Sequence, residues 1–222
     1  MTPATRTVVA PASQPQTVDF TGFTGTNLSA VFPGWSEGAG TTAPSGTTSL
    51  WTNGIMGGTS ARINLYTTTR NDWIIGPKFT AGSNTILSFK IAITNWNSAD
   101  PDADGGMKNT DDKVVVKVST DCGVSYSDLY TFDSSTIGTV SNSLVHKQFN
   151  LSAYAGQNII IAFYAADGPT NDLPDYDFHI DDIYIGDAPA CNAPLTQSTT
   201  SITYTGATLN WISPDSFFEQ PR

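Results

Sequence analysis

Residues 85–119 read TILSFKIAITNWNSADPDADGGMKNTDDKVVVKVS, and both ends of this stretch alternate apolar with polar side chains. Leu87, Phe89, Ile91 and Ile93 fall on one side, Ser88, Lys90 and Thr94 on the other, and Val114, Val116 and Val118 oppose Lys117. A period of two belongs to a half-buried β-strand, whose successive side chains leave on opposite faces. Between the two strands lies DPDADGGMKNTDD, with five carboxylates: Asp100, Asp102, Asp104, Asp111 and Asp112. A hard cation such as calcium takes six to eight oxygens at close range. Clustered carboxylates also repel one another unless a cation neutralises them. Counted from Asp100, Asp111 falls where an EF-hand loop closes, but Asp stands in place of Glu and Pro101 and Lys108 break the pattern. Neither flank is helical. The stretch therefore predicts two strands joined by a calcium loop that is not an EF-hand. The plainer alternative is a solvated hairpin loop, since Asp, Asn and Gly are turn formers in their own right.

Working outward, the runs ARINLY, DWIIGPKF, LVHKQFNL, NIIIAFYA and DFHIDDIYI are further short strands between turn signals. Many such strands and no sustained helical period predict an all-β protein, a two-sheet β-sandwich. In the last run Phe178 and Ile180 share one parity, whereas Ile183 and Ile185 have the other. The phase slips at Asp181-Asp182, which predicts a bulge. That bulge is either a second metal position, built from Asp181 and Asp182 with Asp19 of the first strand, or a solvated irregularity. Residues 1–16 are spaced by proline and predict a linker. Residues 17–187 carry the sandwich. In residues 188–222 a Pro/Ala-rich joint leads into SITYTGATLNWI, the truncated start of a second β domain.

The chain has 222 residues, with 20 Asp+Glu against 10 Lys+Arg; Glu occurs only at 37 and 219. Without a cluster of Lys and Arg there is nothing to neutralise phosphates, which excludes nucleic acid as a partner. No apolar run reaches membrane-spanning length, so membrane insertion is not expected. The low charged fraction, 14%, and abundant Thr, Ser, Asn and Gly suit an exported protein at the cell surface or outside it. No hydrophobic leader follows Met1, so an exported protein would be represented here as a mature fragment. Cys122 and Cys191 are too few for a zinc site and lack a CxxC; they are either a disulfide pair or two free thiols.

Catalytic signatures are absent: no GxSxG, no HExxH and no phosphate-cradling glycine loop. His146 and His179 sit at outward polar positions of strands. An Asp-dependent hydrolase would have to use Asp177, Asp181 and Asp182, which metal binding or turn formation explains more simply. For ligand binding the best material is Trp96 and Asn97 at a strand end, and Tyr176 in the polar loop DGPTNDLPDYD. Exposed aromatic rings beside Asn and Asp are suited to stack on sugar faces while polar groups bond hydroxyls. Trp35, Trp51 and Trp73 are expected in the core, whereas Trp96 fits core or surface.

The segments FTGFTGTNLSAVFPGW, NDWIIGPKF, DDKVVVKVSTDCGVSYSDLY, NLSAYAGQNIIIAFYA and FHIDDIYIG, in this order, resemble the cleaved-adhesin, MAM-like modules of bacterial surface proteins. The resemblance covers about residues 17–186. It implies a jelly-roll sandwich, structural calcium, extracellular placement and a non-catalytic role in adhesion or attachment to carbohydrate or a surface protein. It places Asp112 and Asp182 on acidic motif positions, and Tyr126 where the family usually has Trp. The later CNAP…SITYTGATLNW looks like the beginning of a fibronectin type III domain. A purely structural spacer beside a catalytic domain is the competing expectation.

Overall fold

The computed structural model describes residues 10–25, 27–139, 141–189 and 195–212. Two antiparallel sheets face each other as a jelly-roll-like sandwich. The first sheet runs β10 (Val145–Asn150), β7 (Thr85–Asn95), β12 (Tyr176–Asp187), β4 (Ser60–Leu65) and β3 (Thr52–Gly54). The second runs β2 (Ser36–Ala39), β5 (Asn71–Ile75), β11 (Asn158–Ala166), β8 (Lys113–Ser119) and β9 (Ser127–Phe132). The two alternating ends of residues 85–119 thus become β7 and β8, one in each sheet.

The predicted slip at Asp181-Asp182 is a real bulge. The register of β12 against β7 shifts between Asp181 and Tyr184, and Asp182 takes a left-handed φ of 49°. The bulge lets β12 serve two partners along one edge. Its first half pairs β4 and its second half pairs β1 (Gln16–Val18). Strand β11 divides its edge similarly between β5 and β6 (Phe79–Thr80).

The core forms where the inward faces meet. Phe89 of the first sheet lies edge-on to Phe163 of the second, ring centroids 5.0 Å apart, and Phe132 packs against Phe178. Trp35, Trp51 and Trp73 are buried as expected. The short strand β2 is preceded by one helical turn, α1 (Leu28–Val31). The described end of the leading segment lies against the sandwich: Ala12 bridges Phe79, and Gln16 begins β1. Near the other end, β13 (Leu195–Thr203) and β14 (Gly206–Ile212) form a hairpin with Ile202, Tyr204 and Leu209 exposed. Residues 1–9 of the expected linker, and Cys191 in the joint before the hairpin, lie outside the described residues. Cys122 is exposed in the turn after β8.

Candidate functional site

The outward positions of the first sheet hold most of its chemistry. Inward parity on β12 is taken by Tyr176, Phe178 and Ile180, so Asp177, His179 and Asp181 point out. Cross-strand register sets Asn64 and Thr94 beside Asp177, Arg62 and Ala92 beside His179, and Lys90 beside Asp181. An outward polar face is ordinarily wet. Here Asp177, His179, Asp181, Ser60 and Thr94 are all buried. The expectation that His179 faces solvent is therefore corrected: it points outward but is fully covered.

Two connections supply the cover. The β3–β4 connection reaches across the sheet, where a Cβ on Gly57 would come within 2.2 Å of Asp181 Oδ2 and 2.9 Å of Leu144. Gly57 has a φ of 64°, so glycine is required there for conformation and space alike. After β7 the chain folds back, and the Asn97 amide donates to Asp177 Oδ2 at 2.8 Å. Asn97 adopts a left-handed φ of 51° to do so.

Between these covers lies a cleft of about 130 Å³, lined by Asn53, Ile55, Arg62, Asn97, Ser98, Asp177 and His179. On this measure it has room for on the order of ten waters. Arg62 donates to Asp177 Oδ2 at 2.6 Å and to the Asn53 carbonyl at 3.1 Å. His179 is held between the hydroxyls of Ser60 and Thr94, each 3.0 Å from a ring nitrogen. Burial pushes its pKa down to about 4, so it is neutral. Burial raises that of Asp177, against the Asn97 amide and Arg62, which lower it. Asp177 Oδ1 is buried and has no hydrogen-bond partner among the described residues. Ile55, which lines the cleft, and Trp96, which precedes Asn97, are 58% and 57% exposed.

Of the expected ligand-binding residues, Asn97 lines the cleft and Trp96, its neighbour in the chain, is exposed. Tyr176 is not. Its parity on β12 turns it into the core, fully buried, with its hydroxyl 3.1 Å from Asp112 Oδ2. No ring face is left for stacking.

The acidic loop resolves into two parts. Asp111, Asp112 and Asp172 bring one carboxylate oxygen each within 4.8 Å of one another, the one such gathering among the described residues. The amide of Gly168 donates to Asp112 and that of Thr170 to Asp111, while Asp172 accepts from the Asp111 amide. Gly168 is essential to the close approach, because a Cβ there would overlap the Asp111 carboxylate. Burial, with Asp167 nearby, pushes the pKa of Asp112 up to about 6. Among the described residues no Lys or Arg pairs with these three carboxylates.

Asp100, Asp102 and Asp104 do not join them, which corrects the expected single loop centre. The Asp100 carboxylate accepts from Ser98, Asp102 accepts from the Gly106 amide, and the Asp104 carbonyl accepts from Asn109. These residues shape the turn into the 3₁₀ segment at Gly106–Asn109. The bulge likewise shows no second gathering. Asp182 pairs with Lys90 at 2.6 Å, and Asp19 accepts from the Thr21 amide. Asp181 is pushed up to about 6, first by burial and then by Asp182, with Asp19 adding to the shift.

No protein-family model and no curated protein matches the chain. Solved structures do. The K1 cleaved adhesin domain of Lys-gingipain from Porphyromonas gingivalis W83 aligns over 80% of this chain and 100% of its own, with a TM-score of 0.52 and 14% identity. The K3 cleaved adhesin domain of the same protein aligns over 77% and 97%, with a TM-score of 0.47 and 15% identity. The xylan-binding module CBM15 aligns over 80% and 98%, with a TM-score of 0.44 and 10% identity. The likeness to the K1 domain is one of fold.

Proposed function

We propose that this chain is a non-catalytic, extracellular, calcium-stabilised binding module that attaches a longer protein to carbohydrate or to a surface protein. The observation that carries the reading is the covered polar face of the first sheet, opened at a cleft lined by an exposed Ile55 and by Asn97, whose chain neighbour Trp96 is exposed. Binding sites combine apolar platforms with a few placed polar groups on a rigid scaffold, and here Asp177, Arg62 and His179 are fixed on paired strands. A spacer without a ligand has no need to keep buried polar groups on an outward face. His179 is committed at both ring nitrogens, which suits orientation better than proton transfer.

Calcium fits Asp111, Asp112 and Asp172. Two oxygens at about 2.4 Å from one ion stand at most about 4.8 Å apart, and the three carboxylate oxygens lie within that limit of one another. A carboxylate pushed up to about 6 by burial also gains from a nearby cation. The remaining oxygens would come from neighbouring carbonyls and water. The reading is tested by screening the chain against immobilised glycans and surface proteins, wild type beside Trp96→Ala. Binding that Trp96→Ala weakens supports it; silence toward both classes removes it in favour of a spacer.

A further inference from the structure

We infer that the cleft over Asp177 takes a neutral, hydroxyl-rich ring, with one ligand hydroxyl donating to Asp177 Oδ1. This rests on the binding-module reading and names its ligand chemistry and its polar anchor.

The argument begins with an unpaired atom. Asp177 is 1% exposed, and its two oxygens differ in kind. Oδ2 receives both the Arg62 guanidinium and the Asn97 amide, while Oδ1 has no partner among the described residues. A buried acceptor left without a donor is costly, and more so when it carries charge. Asp177 itself lines the cleft together with Asn97, Ser98 and Arg62, which makes the cleft the approach for a donor. The route needs the turn at 96–98 to yield slightly. That turn is surface-exposed and is tied to β12 through the Asn97 amide and through the Trp96 amide, which donates to the Asp175 carbonyl.

The charge of the ligand follows from what the cleft has already used. Arg62 is the one cationic side chain lining it, and its charge is balanced by Asp177, with which it pairs at 2.6 Å. The pair therefore offers an anion no net positive charge, while the guanidinium keeps N–H groups that can bond neutral acceptors. A cation is disfavoured by the same guanidinium. What remains is a neutral donor, and the lining amides of Asn53 and Asn97 can bond further hydroxyls in either sense. Ile55 lines the cleft and Trp96 precedes the lining residue Asn97; both are exposed and offer apolar surface on which a ring face can rest.

The test uses the full chain and calorimetric titration with xylohexaose, cellohexaose, mannohexaose and galactotetraose, beside trigalacturonic acid as the anionic control. The inference predicts that at least one neutral oligosaccharide binds and that the uronate does not. Asp177→Asn should then weaken binding by about 10- to 100-fold. Because that variant also unpairs Arg62, its fold is checked by thermal melting. If it is unfolded, Asn97→Ala, which leaves the Arg62–Asp177 pair in place, is expected to lose about 5- to 10-fold. Saccharide binding that survives these changes, or a preference for the uronate, overturns the inference while leaving the module reading intact. Failure to bind any neutral saccharide, with protein binding retained, also overturns it. Loss of both kinds of binding removes the module reading itself.

Discussion

The two sheets treat their outer faces in opposite ways. On the second sheet, cross-strand register lines up Trp73, Tyr164 and Val115, and Trp73 and Tyr164 stack with centroids 4.6 Å apart. Tyr126 closes over Trp73, Lys117 lies 5.7 Å above its ring, and its indole nitrogen donates to the Gly40 carbonyl at 2.6 Å. That face is apolar and its polar atoms are engaged. On the first sheet the corresponding positions hold Asp177, His179 and Asp181, equally hidden but charged or polar, with a part-buried Arg62 beside them and one carboxylate oxygen unpaired among the described residues. Burying aromatic area stabilises a fold by itself. Burying Asp177 and His179 does not, since each loses hydration that its partners only partly replace. On the proposed reading, the comparison separates a face kept for stability from a face kept for recognition.

The largest effect should come from the apolar face. Trp73→Ala is expected to lose about 3–5 kcal/mol, seen as a lower midpoint in urea, while ligand affinity of the folded fraction stays unchanged. A loss of affinity there would erase the distinction between the faces. Calcium comes next. At a hundred times its dissociation constant it should add about 2.7 kcal/mol, raising the melting temperature by about 5–10 °C. Asp112→Asn should abolish that gain, and an EDTA-insensitive melt in the wild type would turn the three carboxylates into loop chemistry.

A pH series without calcium isolates Asp112. Its folded pKa, about 6, lies above the unfolded 3.8, so the native state holds its proton to higher pH. The resulting penalty is absent below the unfolded value, grows between about 4 and 6, and is complete above. It amounts to about 2–3 kcal/mol at neutrality. His179 works in the other direction. Depressed from 6.5 to about 4, it favours the fold above its unfolded pKa and loses that contribution as pH falls toward 4. The difference between wild type and Asp112→Asn removes the histidine contribution, and it should shrink as pH falls from 7 to 4. The smallest stability effect belongs to Trp96→Ala, expected within about 0.5 kcal/mol because the ring is exposed, yet binding should fall.

Much of this was legible in sequence where periodicity carried it. The alternation in β7 and β8 and the phase slip at Asp181-Asp182 follow from side-chain parity. The site was legible only in part. Asn97 announced itself at a strand end, but Arg62 reaches Asp177 from the position on β4 paired with His179, which no local pattern encodes. Asp172 escaped because it lies some sixty residues from Asp112 in a loop read only for its polarity. Tyr176 misled for a related reason: it stands at the junction of a polar loop and β12, and the strand's parity, extended one residue earlier, turns it inward. Asp100, Asp102 and Asp104 had the right spacing for a metal loop, yet their groups are used within the turn.

The most direct test of the central claim is amide chemical-shift mapping of the full chain, titrated with the neutral oligosaccharide that binds most tightly. The account predicts perturbations at residues 52–55, 96–98 and 177–179, on the polar face, with the Trp73, Tyr126 and Tyr164 region unmoved. Perturbations centred on Trp73 and Tyr126 instead would contradict it, because the recognition face would then be the one assigned to stability.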